Sequence, residues 1–232
     1  MRSQISRIFF VFCLFLFPFF SFGKDPVEPG EIEIIGEDKK NFMDETSRIL
    51  GKDIGFRTRF VQERHLSVFM DTLVTEGVCF FQKPALLRWE TTSPYRSILI
   101  YNKKQIAKFD FYNGKLRKLL SNSSDIMAVV LGEIAYWMKG DFNKSDIYNV
   151  KIFKGTNFRL VLIPKSEDLK KTISRIEIIL DAASRHVVSV LIHEFSGDYI
   201  KIKYFDDRHN LSFDNAFDLV NPSIEIHPES GE

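Results

Sequence analysis

From Gly55 onward the chain alternates apolar and polar residues with a period of two, in run after run. Phe56, Thr58 and Phe60 fall on one side of the first run, and Arg57, Arg59 and Val61 on the other. Similar runs follow at 73–82, 86–93, 97–102, 106–112 and 116–120. The second half continues with the rows Tyr148/Val150/Ile152, Phe158/Leu160/Leu162, Ile176/Ile178/Leu180, Val188/Val190/Ile192 and Ile200/Ile202/Tyr204. Successive side chains of a strand point to opposite faces, so each run describes a strand with one apolar face. The connections are short and polar: Asp181-Ala182-Ala183-Ser184, Ser196-Gly197-Asp198, and Asp206 through Asn210. Such connections make hairpins, which predicts an antiparallel sheet of about a dozen strands, a number that must curl.

A curled sheet with one apolar face needs a cover. Residues 38–50 read as an amphipathic helix with Phe42, Ile49 and Leu50 on one side and Gly51 as its stop. Residues 124–139 read as a second helix, capped by Ser124 and ended by Gly140. Its apolar residues, Met127, Val130, Leu131 and Ile134 among them, cover most of its circumference. A helix apolar all round is ordinarily a buried core helix. On a concave sheet it can also be a lid whose spare apolar side faces a ligand cavity. The second reading is the one we carry forward.

The first 23 residues stand apart. Arg2 and Arg7 precede an almost unbroken apolar run that Pro18 interrupts, and Ser21 and Gly23 occupy the −3 and −1 positions of a cleavage site. Residues 1–23 therefore read as a secretory signal peptide and residues 24–37, with Pro26 and Pro29, as a flexible lead-in. Residues 38–228 are left as a single domain, with export to the periplasm as the expectation. The 32 Lys and Arg barely exceed the 31 Asp and Glu, and loss of Arg2 and Arg7 brings the balance close to zero. A nucleic-acid binder would show a strong basic excess. Without the leader Cys79 is the single cysteine, so no intrachain disulfide can form.

Signals for chemistry are weak. There is no GxSxG, GxGxxG, P-loop or CxxC, and His65, His186, His193, His209 and His227 lack zinc-site spacing. His193 and Glu194 are neighbours on a predicted strand and should face opposite ways. Neither an enzyme, a cofactor nor a metal is expected.

The stretch Phe60-Val61-Gln62-Glu63, then Gly77 through Pro84, then Leu87-Arg88-Trp89-Glu90, then Ser93-Pro94 resembles the periplasmic outer-membrane lipoprotein carrier family, LolA. Leu162-Ile163-Pro164-Lys165 and Phe217-Asp218-Leu219-Val220-Asn221-Pro222 match its later motifs. Two departures are Lys83, where arginine commonly precedes the proline, and Leu219, where phenylalanine is frequent. The resemblance implies a mainly β fold with a few helices. Its curled antiparallel sheet would form an incomplete (half) β-barrel with a helical lid over the concave apolar face. It implies a monomeric carrier that shields the acyl chains of lipoproteins. The cargo would come from an inner-membrane lipoprotein-releasing transporter and pass to an outer-membrane acceptor. Lys83 would be the lid latch, bonding lid carbonyls in the closed, empty state. The cavity would be lined by Phe60, Cys79, Phe81, Leu87, Trp89, Met127, Val130, Leu131 and Ile134. Two other readings use the same half-barrel: an envelope-stress sensor, and a carrier of other lipids or glycolipids. A sensor of this kind usually has a second C-terminal domain, and the chain stops at Glu232.

Overall fold

The computed structural model describes residues 28–68, 71–102, 105–119, 147–222 and 229–230. The signal peptide expected at 1–23, and the helix expected at 124–139 with Met127, Val130, Leu131 and Ile134, lie outside the described residues.

Alternation becomes strands almost run for run. The first half gives β2 (Gly55–His65), β3 (Leu73–Gln82), β4 (Leu86–Ser93), β5 (Ser97–Asn102), β6 (Gln105–Tyr112) and β7 (Lys115–Leu119). The second gives β8 (Tyr148–Lys154), β9 (Phe158–Pro164), β10 (Ile173–Leu180), β11 (Val187–Glu194) and β12 (Tyr199–His209). With β1 (Ile32–Ile34) they form one 12-stranded sheet in the order β1-β8-β9-β10-β11-β12-β2-β3-β4-β5-β6-β7. All pairings are antiparallel, so two runs of consecutive hairpins meet where β12 pairs with β2. The sheet is open, with β1 and β7 as its edges.

Three local expectations are corrected. Residues 24–37 are not simply a lead-in: Ile32 to Ile34 pair with β8, because this short alternating stretch supplies the backbone partner that β8 needs on its outer side. Asp206 and Asp207 do not make a turn. The register slips between Phe205 and Arg208, Asp206 takes φ 59°, and the strand resumes with Arg208 opposite Arg57 and His209 opposite Phe56. That is a bulge, which re-aims the side chains beyond it. A second slip, between Ile179 and Leu180, sets Val187 rather than Val188 opposite Leu180, and Val188 is turned out to solvent.

α1 (Gly36–Leu50) lies over the concave face. Glu37 and Asp38 in its first turn and Arg48 in its last suit the helix dipole. It buries Phe42, Met43, Thr46 and Leu50, whereas Ile49 is only half-buried. Phe42 packs on Phe158 with ring centroids 4.5 Å apart, and Lys39 Nζ bonds the Val150 carbonyl. The buried face continues through Phe60, Cys79, Leu87, Trp89, Ile176, Ile192 and Ile202. Gly77 is dictated by this packing. Phe60 lies across the strand from it, and a Cβ there would sit 2.4 Å from the Phe60 ring and 2.1 Å from the Glu90 carbonyl oxygen.

The convex face is covered too. Phe213, Ala216 and Phe217 pack on Phe80, Ile98, Ile100, Ala107 and Phe109. Gln82, Arg88, Asn102 and Lys118 hold this strap by its backbone at Phe213, Ala216, Phe217 and Leu219. Beneath it Arg88, with no exposed surface, donates to Glu90 Oε2 at 2.7 Å, and Arg96 grips Glu90 Oε1 at 2.7 and 2.9 Å. The motif Arg88-Trp89-Glu90 thus sends Trp89 to one face of the sheet and the two charges to the other.

A second charged group lies on β10 and β11. Bonding from His193 at 3.0 Å, opposed by burial and aided by Arg175, pushes the Glu177 carboxyl down to about 2. A depressed carboxylate contributes stability that is complete above its unfolded value and is lost as pH falls through its folded value. Unfolding free energy should therefore drop by about 2–3 kcal/mol between pH 4.5 and 2 on account of this residue. Glu177→Gln should flatten that part of the pH–stability curve, and an unchanged curve would refute the assignment. Glu194 faces elsewhere, to Arg64 at 3.4 Å, as the strand alternation requires.

Candidate functional site

Where the end of α1 meets the sheet, the concave face leaves a cavity of about 40 Å³. Leu50 roofs it; Phe56 and Thr58 of β2, Phe81 of β3, Ile178 and Leu180 of β10, Val187 and Val190 of β11 and Tyr204 of β12 wall it. A space of this size accommodates about two or three water molecules. Tyr204 is buried, its hydroxyl has no hydrogen-bond partner among the described residues, and burial raises its pKa well above the ordinary phenol value.

The rim is charged. The β3–β4 turn docks on the connection leaving α1 through Lys83 N–H to the Ile54 carbonyl, 2.9 Å. The Lys83 side chain then reaches the exposed carbonyls of the last helical turn, donating to Leu50 O at 3.3 Å and to Gly51 O. A cation at a helix C-terminus meets both orphan carbonyls and the negative dipole end. Burial lowers the Lys83 pKa and the negative charge of Asp53 opposes that shift.

Asp53 is the anion of the rim. Its Oδ2 receives His186 Nε2 at 3.3 Å and His209 Nδ1 at 3.0 Å. The two imidazoles are stacked, centroids 3.9 Å apart and 12° from parallel. Burial disfavours the Asp53 carboxylate, yet the two histidine bonds outweigh it and hold the carboxyl well below the ordinary range. The bond to Asp53 in turn raises the His209 pKa against the effect of burial. Each member is delivered by local backbone chemistry. Asp181 Oδ1 accepts from the backbone of Ala183 and Ser184, and Arg185 takes φ 62°, so the β10–β11 turn ends with His186 over the rim. Arg185 itself runs to α1, 3.3 Å from Glu45 and over the Phe158 ring. His209 comes from beyond the β12 bulge.

Residues 54–217 match the sequence profile of the family described as outer membrane lipoprotein carrier protein LolA. The chain belongs to that family. No curated protein sequence matches it. Among solved structures it is similar to a DUF1329 family protein from Desulfovibrio piger, at 10% identity and a TM-score of 0.43 over 77% of this chain and 95% of that one. A LolA superfamily protein from Nitrosomonas europaea gives 10% and 0.42 over 77% and 96%. Lipoprotein LppX from Mycobacterium tuberculosis gives 8% and 0.40 over 75% and 97%.

The LolA motifs can be placed on this fold. Gly77 through Pro84 spans β3 and the turn that carries Lys83, and the closing motif begins in the convex strap. Of the residues expected to line the cavity, Phe81 is on its wall. Phe60, Cys79, Leu87 and Trp89 belong to the same concave face but are packed among one another, Phe60 stacked on Trp89 at 3.8 Å. Lys83 reaches helix carbonyls, and they are those of α1. Sequence reasoning missed Asp53, His186, His209 and Tyr204. The trio is separated by 133 and 156 positions, so no local spacing could have announced it.

Proposed function

We propose that the protein is a periplasmic carrier that shields the acyl chains of lipoproteins against its concave face and shuttles them from the inner to the outer membrane. Supporting this reading is an apolar sheet face roofed by a helix that cations hold at several points, in a chain of the LolA family. Acyl chains in water carry a penalty of about 0.8 kcal/mol per CH₂, so a carrier must enclose them and still release them. The cavity, at about 40 Å³, is far too small for an acyl chain. In this reading, loading requires α1 to lift from the sheet. Lys83 is the latch that opposes this movement. The transfer is non-covalent and involves an inner-membrane releasing transporter as donor and an outer-membrane acceptor.

The decisive experiment is incubation of the purified protein with a triacylated lipoprotein, followed by gel filtration and mass spectrometry of what co-elutes. A one-to-one lipoprotein complex supports the carrier. Recovery of free lipid or glycolipid instead would make it a carrier of another cargo, and no binding would defeat both readings. Lys83→Leu should weaken closure by about 1 kcal/mol, the scale of one partly exposed charged hydrogen bond. Amide exchange in the last turn of α1 should accelerate, with cargo still bound but delivered more slowly to acceptor membranes. Lys83→Arg should do the opposite, because a guanidinium can span both carbonyls. Unchanged exchange and transfer in both variants would reduce Lys83 to a turn lysine.

A further inference from the structure

We propose that Asp53, His186 and His209 form a binding site for a first-row divalent transition ion, with Zn²⁺ as the best fit. Their donor atoms all lie within 4.8 Å of one another. The two edges measured from Asp53 Oδ2, 3.0 Å to His209 Nδ1 and 3.3 Å to His186 Nε2, are close to the ligand–ligand spacing of about 3.3 Å that tetrahedral zinc imposes with bonds of about 2.0–2.1 Å. The set is two imidazoles and one carboxylate, borderline donors that suit zinc and its neighbours rather than Mg²⁺ or Ca²⁺, which take oxygen shells. Both nitrogens bond one carboxylate oxygen, but the rings are stacked 3.9 Å apart and 12° from parallel, so an ion lying in both ring planes requires one imidazole to turn out of the stack as it displaces the shared protons. Three protein ligands leave a fourth position for water. Asp207 lines the same rim, and the nearby Lys83 ammonium is the charge that opposes occupancy.

The site joins three separate pieces of chain: the exit of α1, the β10–β11 turn and the end of β12. An ion there clips the helix exit to the sheet. This consequence concerns order, and does not depend on what the protein carries.

The test is titration of the untagged protein with Zn²⁺, followed by calorimetry. One ion per chain is expected, with no comparable binding of Mg²⁺. The His186→Ala/His209→Ala double variant should lose at least about 100-fold in affinity, and His65→Ala should behave as the parent. Zinc should also slow amide exchange at the end of α1. Should the double variant not fold, the parent decides the matter by NMR: zinc must shift the imidazole signals of His186 and His209 and leave those of His65 and His193 in place. No uptake at millimolar Zn²⁺ overturns the site. So does equal binding by the double variant, which would mean an adventitious ion only. Zinc binding and lipoprotein binding are separate assays, so failure of either leaves the other reading intact.

Discussion

Glu90→Leu should destabilise the fold by about 3–5 kcal/mol, read as a fall in the urea midpoint at constant m-value. Arg88 is wholly buried beneath the convex strap, and the variant strips it of the carboxylate it meets at 2.7 Å. The Coulombic gain of a buried pair is roughly offset by the cost of desolvating both partners, but an uncompensated buried charge suffers that cost alone. Arg96 is a third exposed at its side chain and can turn to water, so Arg88, which keeps its bond to the Ala216 carbonyl, is the residue whose buried charge loses its carboxylate. Arg88→Met together with Glu90→Leu should therefore recover most of the loss, since the strap already offers Phe213 and Phe217 as apolar neighbours. A single variant within about 1 kcal/mol of the parent would show that the network adds little.

Phe60→Ala is the second large effect, again about 3–5 kcal/mol. The ring has no exposed surface, stacks on Trp89 and fills the space over Gly77. Truncation loses the transfer energy of the ring and leaves a void that the rigid β2–β3 ladder cannot close. Phe60→Leu keeps most of the volume and should cost about 1–2 kcal/mol, which keeps the test informative if the alanine variant fails to fold. Parent-like stability for Phe60→Ala would place the ring in an open cavity after all, as the family resemblance alone suggested.

The strands were legible because one face of each is buried, and burial writes period-two alternation directly into the residues. The helix at α1 was legible for the same reason, with its start placed two residues late. What escaped depended on register or distance. The Asp206-Asp207 pair has the composition of a turn, and only its partner strand reveals a bulge. Val187 and Val188 are chemically alike, so a one-residue slip was invisible. The convex strap could not be read because Phe213, Ala216 and Phe217 are spaced i, i+3, i+4, as on one helix face, in a stretch that forms neither helix nor strand. At the rim, Lys83 was found through its motif, whereas Asp53, His186 and His209 meet only in three dimensions.

The pairing of β12 with β2 bears on how the sheet comes to exist. Within the hairpin runs β2–β7 and β8–β12 every strand finds its partner a few residues away, but Tyr199 must find His65 and Tyr204 must find Phe60 across well over a hundred residues, as the short β1 must find β8. Closing so long a loop is entropically unfavourable, and pairings of high sequence separation are slow. The central join should be the late step of folding. Until it closes, β2 presents eleven residues of unpaired backbone, an adhesive edge for other chains. In the folded state the same strand lies in mid-sheet, paired on both sides, where it cannot recruit a stranger. The aggregation hazard of β2 is therefore one of timing, confined to the interval before its partner β12 arrives.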